Sequence, residues 1–373
     1  MKRLWLLLAL AAPAAAEVPP ERMAWWKAKD HVLDVAGMQP LERVPGAHRP
    51  LRRGQAIVSP ALEALIAETR TQALLVWHKG RLRYVFYAPD TDASTRSSPA
   101  SMMKPLLALA IGAAVRAGRM TLDDPASRWL AEWRSDPRGA ITIRQLLQMT
   151  SGLAKDGPTT EGGRGAELML GTQIDAIALA TPLTGTPGAM FDYNNVNSQL
   201  LRLMLERATG RRYADWLSYT IWRPIGADDG AMWLDRPGGA ARGYGGMVAT
   251  PESWIRVGLL IKDRGRVRGR QVVPASWIDA MTAASPRNAN FGLHLWRASP
   301  FAAVRGYGSG KAPPVRTAVP FVAADMVFFD GGGGQRVYVS RARDLVIVRI
   351  GATLWDWDDS RLPNLVSEAL RPH

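Results

Sequence analysis

Residues 101–115 read Ser-Met-Met-Lys-Pro-Leu-Leu-Ala-Leu-Ala-Ile-Gly-Ala-Ala-Val. Leu106, Leu107, Ala110, Ile111 and Ala114 recur at helical spacing, which predicts a helix over 102–115 with an apolar face, ended by Gly118. Pro105 falls in the first turn, where a missing N–H costs little. On a helix, residues three apart share a face, so the Ser101 hydroxyl and the Lys104 amine meet one turn apart. The helix N-terminus adds N–H groups and positive potential at the same point. An isolated Ser-x-x-Lys reads equally well as an ordinary first turn with a solvated lysine.

Working outward, a helical pattern at 61–71 precedes two apolar and aromatic runs, 73–77 and 81–88, around the hairpin signal His78-Lys79-Gly80. From 121 to 284 helical patterns alternate with Gly/Pro loops and strand signals are few. The clearest helices are 144–149, 196–208, 213–219, 251–263 and 275–283. Strand signals return at 326–329, 336–340 and 345–350, and 362–370 forms a closing helix. No internal repeat is visible. Strands, then helices, then strands predict an α/β protein of the α+β type: an antiparallel sheet built from both chain ends, with flanking helices and an inserted, mainly helical lobe. The expected division is an extension over 17–59 and one domain over 60–373. Within that domain, an α/β lobe takes 60–118 and 288–373, and the helical lobe takes 119–287.

Of the 373 residues 47% are hydrophobic and 21% charged, which suits a packed globular chain. The absence of cysteine excludes disulfide scaffolds, thiolate nucleophiles and cysteine metal sites. The five histidines (His31, His48, His78, His294, His373) are scattered, so paired-histidine metal motifs are missing too. The net charge is +14 and eight of the 47 basic residues are lysines, leaving 39 arginines. No run of five or more basic residues occurs, so the charge reads as solvated surface rather than a nucleic-acid footprint. Lys2-Arg3 followed by an apolar run at 4–16, ending in Ala14-Ala15-Ala16, reads as a secretory signal. The expectation is an exported protein, periplasmic or secreted, cleaved near Ala16. The run falls short of the ~20 residues that span a bilayer, and no later stretch qualifies. Fourteen tryptophans read mainly as packing, with Trp296 a candidate cleft wall near the lobe junction.

Two further motifs could carry chemistry. Tyr193-Asn194-Asn195 follows the turn signal Thr186-Pro187-Gly188 and opens a helix. It offers a phenol to move protons and an amide to hold a lysine or a carbonyl, or simply a helix cap with Tyr193 packed beneath. Gly331-Gly332-Gly333-Gly334-Gln335 leads into a strand, where side-chain-free backbone could offer N–H groups to an oxyanion, or form a flexible hairpin. Chance supplies about 0.4 copies of Ser-x-x-Lys and about 0.13 of Tyr-x-Asn at this composition, so neither decides alone. No Gly-x-Ser-x-Gly exists, and a Ser-His-Asp triad would have to recruit His294 or His78 from a distance.

The order Ser-x-x-Lys, Tyr-x-Asn, glycine-rich strand is similar to that of the serine β-lactamase-like and penicillin-binding hydrolases. The connecting sequence resembles the class C β-lactamase-like esterases and 6-aminohexanoate-dimer hydrolases over about 73–350. The matching stretches are Leu122-Asp123-Asp124-Pro125, 141–147 running into Thr150-Ser151-Gly152-Leu153, Pro187-Gly188 before Tyr193, Trp222-Arg223-Pro224-Ile225-Gly226, and Gly333-Gly334-Gln335. The resemblance implies a β-lactamase/transpeptidase-like fold. It implies Ser101 as nucleophile, Lys104 as general base or its partner, and Tyr193 as the proton relay. Asn195, Gly333, Gly334 and Gln335 would lie around the substrate and oxyanion. The third motif departs: penicillin-directed relatives carry Lys-Thr-Gly and many esterases a leading histidine, where this chain offers Phe329-Asp330-Gly331 or a bare glycine run. The usual cation for a substrate carboxylate is therefore missing.

A serine hydroxyl needs a base within hydrogen-bond reach, and a lysine serves only when partly neutral. The expected activity is cleavage of an ester or amide, small-molecule or from the cell envelope, through an acyl-enzyme on Ser101. The oxyanion would be held by the backbone N–H of Ser101 and one near Gly334. No metal or organic cofactor is required. The rival readings are a cell-wall D,D-peptidase or β-lactamase, and a binding protein that kept the fold without the chemistry.

Overall fold

The computed structural model describes residues 17–28, 30–157, 159–310 and 312–371. The secretory-signal reading at 1–16 lies outside them.

A six-stranded sheet runs in the order Arg81–Tyr87, Thr71–His78, Leu345–Gly351, Gln335–Ser340, Val327–Gly331, Trp296–Arg297. Every neighbouring pair is antiparallel. Two strands come from early in the chain and four from its end, as strand signals at both ends imply. Side chains alternate between the faces, as a two-residue period requires. Leu74, Val76, Ile347, Phe328 and Tyr338 pack in one core with residues of the helices Pro60–Glu68 and Arg361–Ala369. Leu75, Val337, Val339, Val346 and Val348 pack in the other, with the helices Met103–Arg116 and Pro251–Lys262.

The Met103–Arg116 helix is buried from Met103 through Ala114, on every side rather than on one face. It forms the centre of the molecule. The sheet covers one side and the inserted helices the other, and the indoles of Trp277 and Trp216 donate to the Ala108 and Ala110 carbonyls, each at 3.0 Å. A helix buried all round tolerates an apolar sequence all round. The inserted part holds the helices Ile143–Leu147, Asn195–Thr209, Tyr213–Leu217, Pro251–Lys262 and Ala275–Thr282 at the places the patterns mark.

The sequence reading differs from the structure mainly at the N-terminal side. The extension over 17–59 holds one short helix, Pro20–Ala28, in keeping with its reading as a wrap with at most a short helix, but it also holds the strand Leu41–Val44, which buries Val44 fully. That strand pairs with Gly230–Trp233, which pairs in turn with Met247–Val248, giving a three-stranded sheet. The strands inside the helical stretch are two to four residues long, too short for a two-residue period to show, and Gly230–Trp233 takes one of its partners from residues 41–44. The segment ties both lobes together. Arg22 donates to the Leu170 carbonyl at 3.0 Å, and Asp30 accepts from the Thr353 N–H at 2.8 Å. The first helix after it ends at Glu68 rather than 71, because Thr71 already belongs to the sheet. Among the described residues no helix is long and apolar enough to cross a membrane.

Candidate active site

Ser101 lies on a single helical turn, Ala100–Met102, immediately before the buried helix. Ala100 adopts φ 47°, a left-handed conformation uncommon outside glycine, so the turn that presents Ser101 is strained. Lys104, one turn on, is 1% exposed, and its Nζ sits 2.7 Å from Ser101 Oγ. The amine also donates to Asn195 Oδ1 at 2.8 Å and to the Tyr244 carbonyl at 3.2 Å. Burial lowers its pKa to about 7, against the opposing pull of the Asp156 and Asp330 carboxylates.

Asn194 and Asn195 divide two tasks that the sequence leaves open. Asn194 is the N-cap of Asn195–Thr209, its side chain accepting from the Val196 N–H at 3.1 Å. Asn195, freed from capping, turns its carbonyl oxygen to Lys104 and donates from Nδ2 to Asp156 at 2.6 Å. The Tyr193 hydroxyl comes close enough to Ser101 for the serine to oppose its pKa rise, and its ring passes 4.7 Å from Lys104 Nζ. Burial raises the phenol pKa well above its ordinary value and Asp330 adds to this, outweighing Ser101 and the Arg305 charge. The ring is boxed by Trp296, stacked at 6.0 Å between centroids, and by Tyr307 and Phe291 edge-on at 5.4 and 6.2 Å. Trp296 is thus buried packing beneath Tyr193.

The glycine run does something other than a run of interchangeable donors would. Gly331 lies on the serine turn: a Cβ there would come within 2.3 Å of the Pro99 carbonyl oxygen and 3.2 Å of Met102 Cγ. Gly333 and Gly334 form the turn beyond it with left-handed φ of 75° and 83°, packed against Thr353 and Trp357. Gln335 is fully buried. Its Nε2 donates to the Gly333 and Gly351 carbonyls and its Oε1 accepts the Gly351 N–H, so its side chain closes the turn.

Asp330, next to the glycine run, is held by two arginines. It stands 2.8 Å from Arg305 and 2.6 Å from Arg336, and Asp359 meets the same two arginines at 2.6 and 2.8 Å. Two cations and two anions close a buried quartet, and the Tyr307 hydroxyl donates to Asp330 at 2.6 Å. Burial alone would raise the Asp330 pKa, but Arg305 and Arg336 outweigh it and hold the carboxyl below its ordinary value. Both guanidinium groups are already matched, which leaves neither as a free cation for a ligand carboxylate.

His294 is buried, with Nδ1 at 2.9 Å from the Leu147 carbonyl and Nε2 at 3.0 Å from Ser198 Oγ. Burial lowers its pKa to about 3, so it is neutral and engaged away from Ser101. His78 ends an outer part of the sheet, so neither histidine joins the serine. Asp156 is the residue that local sequence reasoning passes over: it sits in a loop without periodicity, just beyond Thr150-Ser151-Gly152-Leu153. A pocket opens beside Ser101, between the N-terminal segment and the inserted helices.

An antiparallel sheet with a central Ser-x-x-Lys helix and a Tyr-x-Asn loop beside it defines a β-lactamase/transpeptidase fold. Residues 61–354 match the Beta-lactamase family model, and the chain belongs to that family as a serine hydrolase. It is 28% identical over 243 residues to the 6-aminohexanoate-dimer hydrolase of Paenarthrobacter ureafaciens, covering 62% of each chain. It is 29% identical over 145 residues to Protein flp of Staphylococcus aureus strain NCTC 8325 / PS 47, covering 36% of this chain and 29% of that one. The alignments thus span less than two thirds of these relatives. Among solved structures, a Bacillus anthracis protein designated a 6-aminohexanoate-dimer hydrolase superposes with TM-score 0.73 at 19% identity, covering 91% of both chains. EstCE1, a hydrolase with promiscuous acyltransferase activity, superposes with TM-score 0.63 at 18% identity, covering 83% of this chain and 96% of its own. A penicillin-binding protein homolog from Caulobacter crescentus gives TM-score 0.61 at 17% identity, covering 85% and 99%. These structural likenesses speak to the fold.

Proposed function

We propose that the chain cleaves an ester or amide bond through an acyl-enzyme on Ser101. The observation that carries this reading is the buried Lys104 amine, 2.7 Å from Ser101 Oγ with its pKa lowered to about 7. At neutral pH a large fraction of that amine is neutral and can take the serine proton as Oγ attacks the carbonyl carbon. The negative charge that develops on the carbonyl oxygen is received by backbone N–H groups: that of Ser101 and one at Gly331–Gly332, where the strand end reaches the serine turn. Tyr193, kept neutral by its raised pKa, is suited to donate its proton to the departing oxygen or nitrogen. Lys104, now protonated beside it, returns a proton to the phenolate, so the site is neutral again when water arrives. Water then attacks the acyl carbon, its proton passing to the same pair, and Ser101 leaves with a proton restored. This assigns the first base to Lys104 rather than to an ionised tyrosine.

The relative that hydrolyses a 6-aminohexanoate dimer supports an ester or amide substrate. The matched Asp330 quartet argues against dependence on a substrate carboxylate, and so against a β-lactamase or D,D-peptidase. The test is intact-mass spectrometry after treatment with an alkyl phosphonate ester. One adduct is expected on the wild-type chain and none on Ser101→Ala, whereas a label that persists in the variant removes Ser101 as nucleophile. A fluorescent penicillin should leave the protein unlabelled. Export is part of the proposal, and the mass of the protein recovered outside the cytoplasm should correspond to a start near Glu17.

A further inference from the structure

The pocket beside Ser101 has two sources. The N-terminal segment supplies Trp26, His31 and Met38, and the inserted lobe supplies Met169, Trp233 and Arg242. Trp26 and His31 stack at 3.7 Å between ring centroids with planes 20° apart, making one wall. Burial lowers the His31 pKa, so that wall is neutral at physiological pH. Behind the opposite wall, Arg242 lies 3.6 Å over the Trp233 ring and Arg22 lies 5.7 Å from it. Both arginines are buried, and among the described residues neither has a carboxylate within ion-pair distance. Their N–H groups point to backbone carbonyls instead: Arg242 to Met169 and Gly171, Arg22 to Leu170 and Gln39. Asp235, whose charge both feel, is bound to Arg236 and to the Ala240 N–H. The space next to the nucleophile is therefore walled by rings and thioethers, and backed by two cations that Asp235 and, for Arg22, Glu21 offset only from beyond ion-pair distance.

We propose that this pocket, of about 50 Å³ and open to solvent on one side, is the inner end of the acyl subsite of Ser101 and that the N-terminal segment sets its selectivity, seating the first part of an uncharged apolar or aromatic acyl group and disfavouring one that ends in an ammonium. This rests on the acyl-enzyme reading above. An apolar chain gains by leaving water for aromatic walls. An ammonium would lose its hydration in a site that holds no anion to replace it, next to charges of its own sign.

The experiment measures kcat/KM for 4-nitrophenyl acetate, hexanoate, benzoate and 6-aminohexanoate, which share one leaving group, on the wild-type chain and on Trp26→Ala and Met38→Trp. Hexanoate should exceed 6-aminohexanoate by about 100-fold, the scale on which a site discriminates against a group it leaves unpaired. Both variants should reduce the hexanoate-to-acetate and benzoate-to-acetate ratios by about tenfold, Trp26→Ala by removing a wall and Met38→Trp by filling the space. Ratios are unaffected by partial unfolding, which lowers all four rates together. Ratios within twofold of wild type in both variants overturn the subsite. Equal turnover of hexanoate and 6-aminohexanoate overturns the charge selection. Failure to release nitrophenolate from any ester, with no phosphonate adduct on Ser101, overturns the parent reading instead, so the two failures are told apart.

Discussion

Asn195 and Asp156 share a 2.6 Å hydrogen bond, the amide Nδ2 donating to the carboxylate, while the other end of the same amide accepts from Lys104. The carboxylate thus stands one amide away from the base. Burial raises the pKa of this carboxyl, opposed by the Asn195 hydrogen bond and the Lys104 charge; once ionised it favours the protonated amine and works against the burial that lowers the Lys104 pKa. In Asp156→Asn that opposition disappears, and the Lys104 pKa falls further. The acid limb of the kcat/KM–pH profile should therefore move to lower pH than in the wild type. A limb that stays in place would mean that Asp156 does not reach the base electrostatically.

In the wild-type chain, kcat/KM should rise with pH through about 7, as Lys104 loses its proton. Lys104→Met removes the proposed base and should lower kcat by about 10²–10⁴-fold, the usual worth of a positioned proton acceptor. The same variant should be more stable than the wild type in acid. The folded-state pKa lies near 7 and the unfolded one near 10.5, so below 7 both states are protonated and the fold carries the full cost of a buried cation. Between those values the unfolded state binds a proton that the folded state lacks, and wild-type stability rises with pH. The thermal-stability advantage of Lys104→Met should be largest at pH 6 and shrink toward pH 10. An advantage that does not change with pH would refute the assignment of a buried, shifted lysine.

The parts of this site that can be read from sequence are those made by local geometry. Ser101 and Lys104 share a helix face at spacing three, so their approach follows once the helix does. Asn195 reaches the same amine from 91 residues away, and no periodicity announces that; the order of motifs and the family resemblance carried it. Helix caps are ambiguous at single-residue level, which is why either asparagine of 194–195 could have been the cap until Asn194 proved to be it. The glycine run was readable as exposed backbone. Which glycine meets the serine was not, because that depends on the register of the hairpin, where Gly331 pairs with Gln335. The Asp330 quartet draws on four separated positions, and the N-terminal wall of the pocket on a segment anchored by the pairing of Leu41–Val44 with Gly230–Trp233. Long-range pairing of this kind leaves no trace in a local window.

Gly331 should resist even the smallest enlargement. An added methyl would overlap the Pro99 carbonyl oxygen, which is backbone and cannot swing aside, and would also crowd Gln335 Cβ. Gly331→Ala should push the strand end away from the serine turn, destabilising the fold by about 1–3 kcal/mol and separating the two backbone donors of the oxyanion site. Loss of a donor typically costs about 3 kcal/mol of barrier, so kcat should fall by about 10²-fold while KM changes less. A variant with wild-type kcat would show that the strand end plays no part in holding the oxyanion.

Asp330 stands at the entry to the glycine run, where its partners make it a structural anion. Asp330→Ala would leave Arg305 and Arg336 sharing Asp359 alone, with one buried positive charge uncompensated. Breaking a buried pair from one side costs about 3–5 kcal/mol, and that loss should appear as a lower midpoint in urea unfolding. The effect should extend to the site, because Tyr307 would lose its acceptor and Tyr307 is one wall of the box around Tyr193. Adding formate or acetate should partly restore stability if the vacated space admits a small carboxylate between the two guanidinium groups. If Asp330→Ala unfolds at the same urea concentration as the wild type, the quartet is not the anchor its geometry implies.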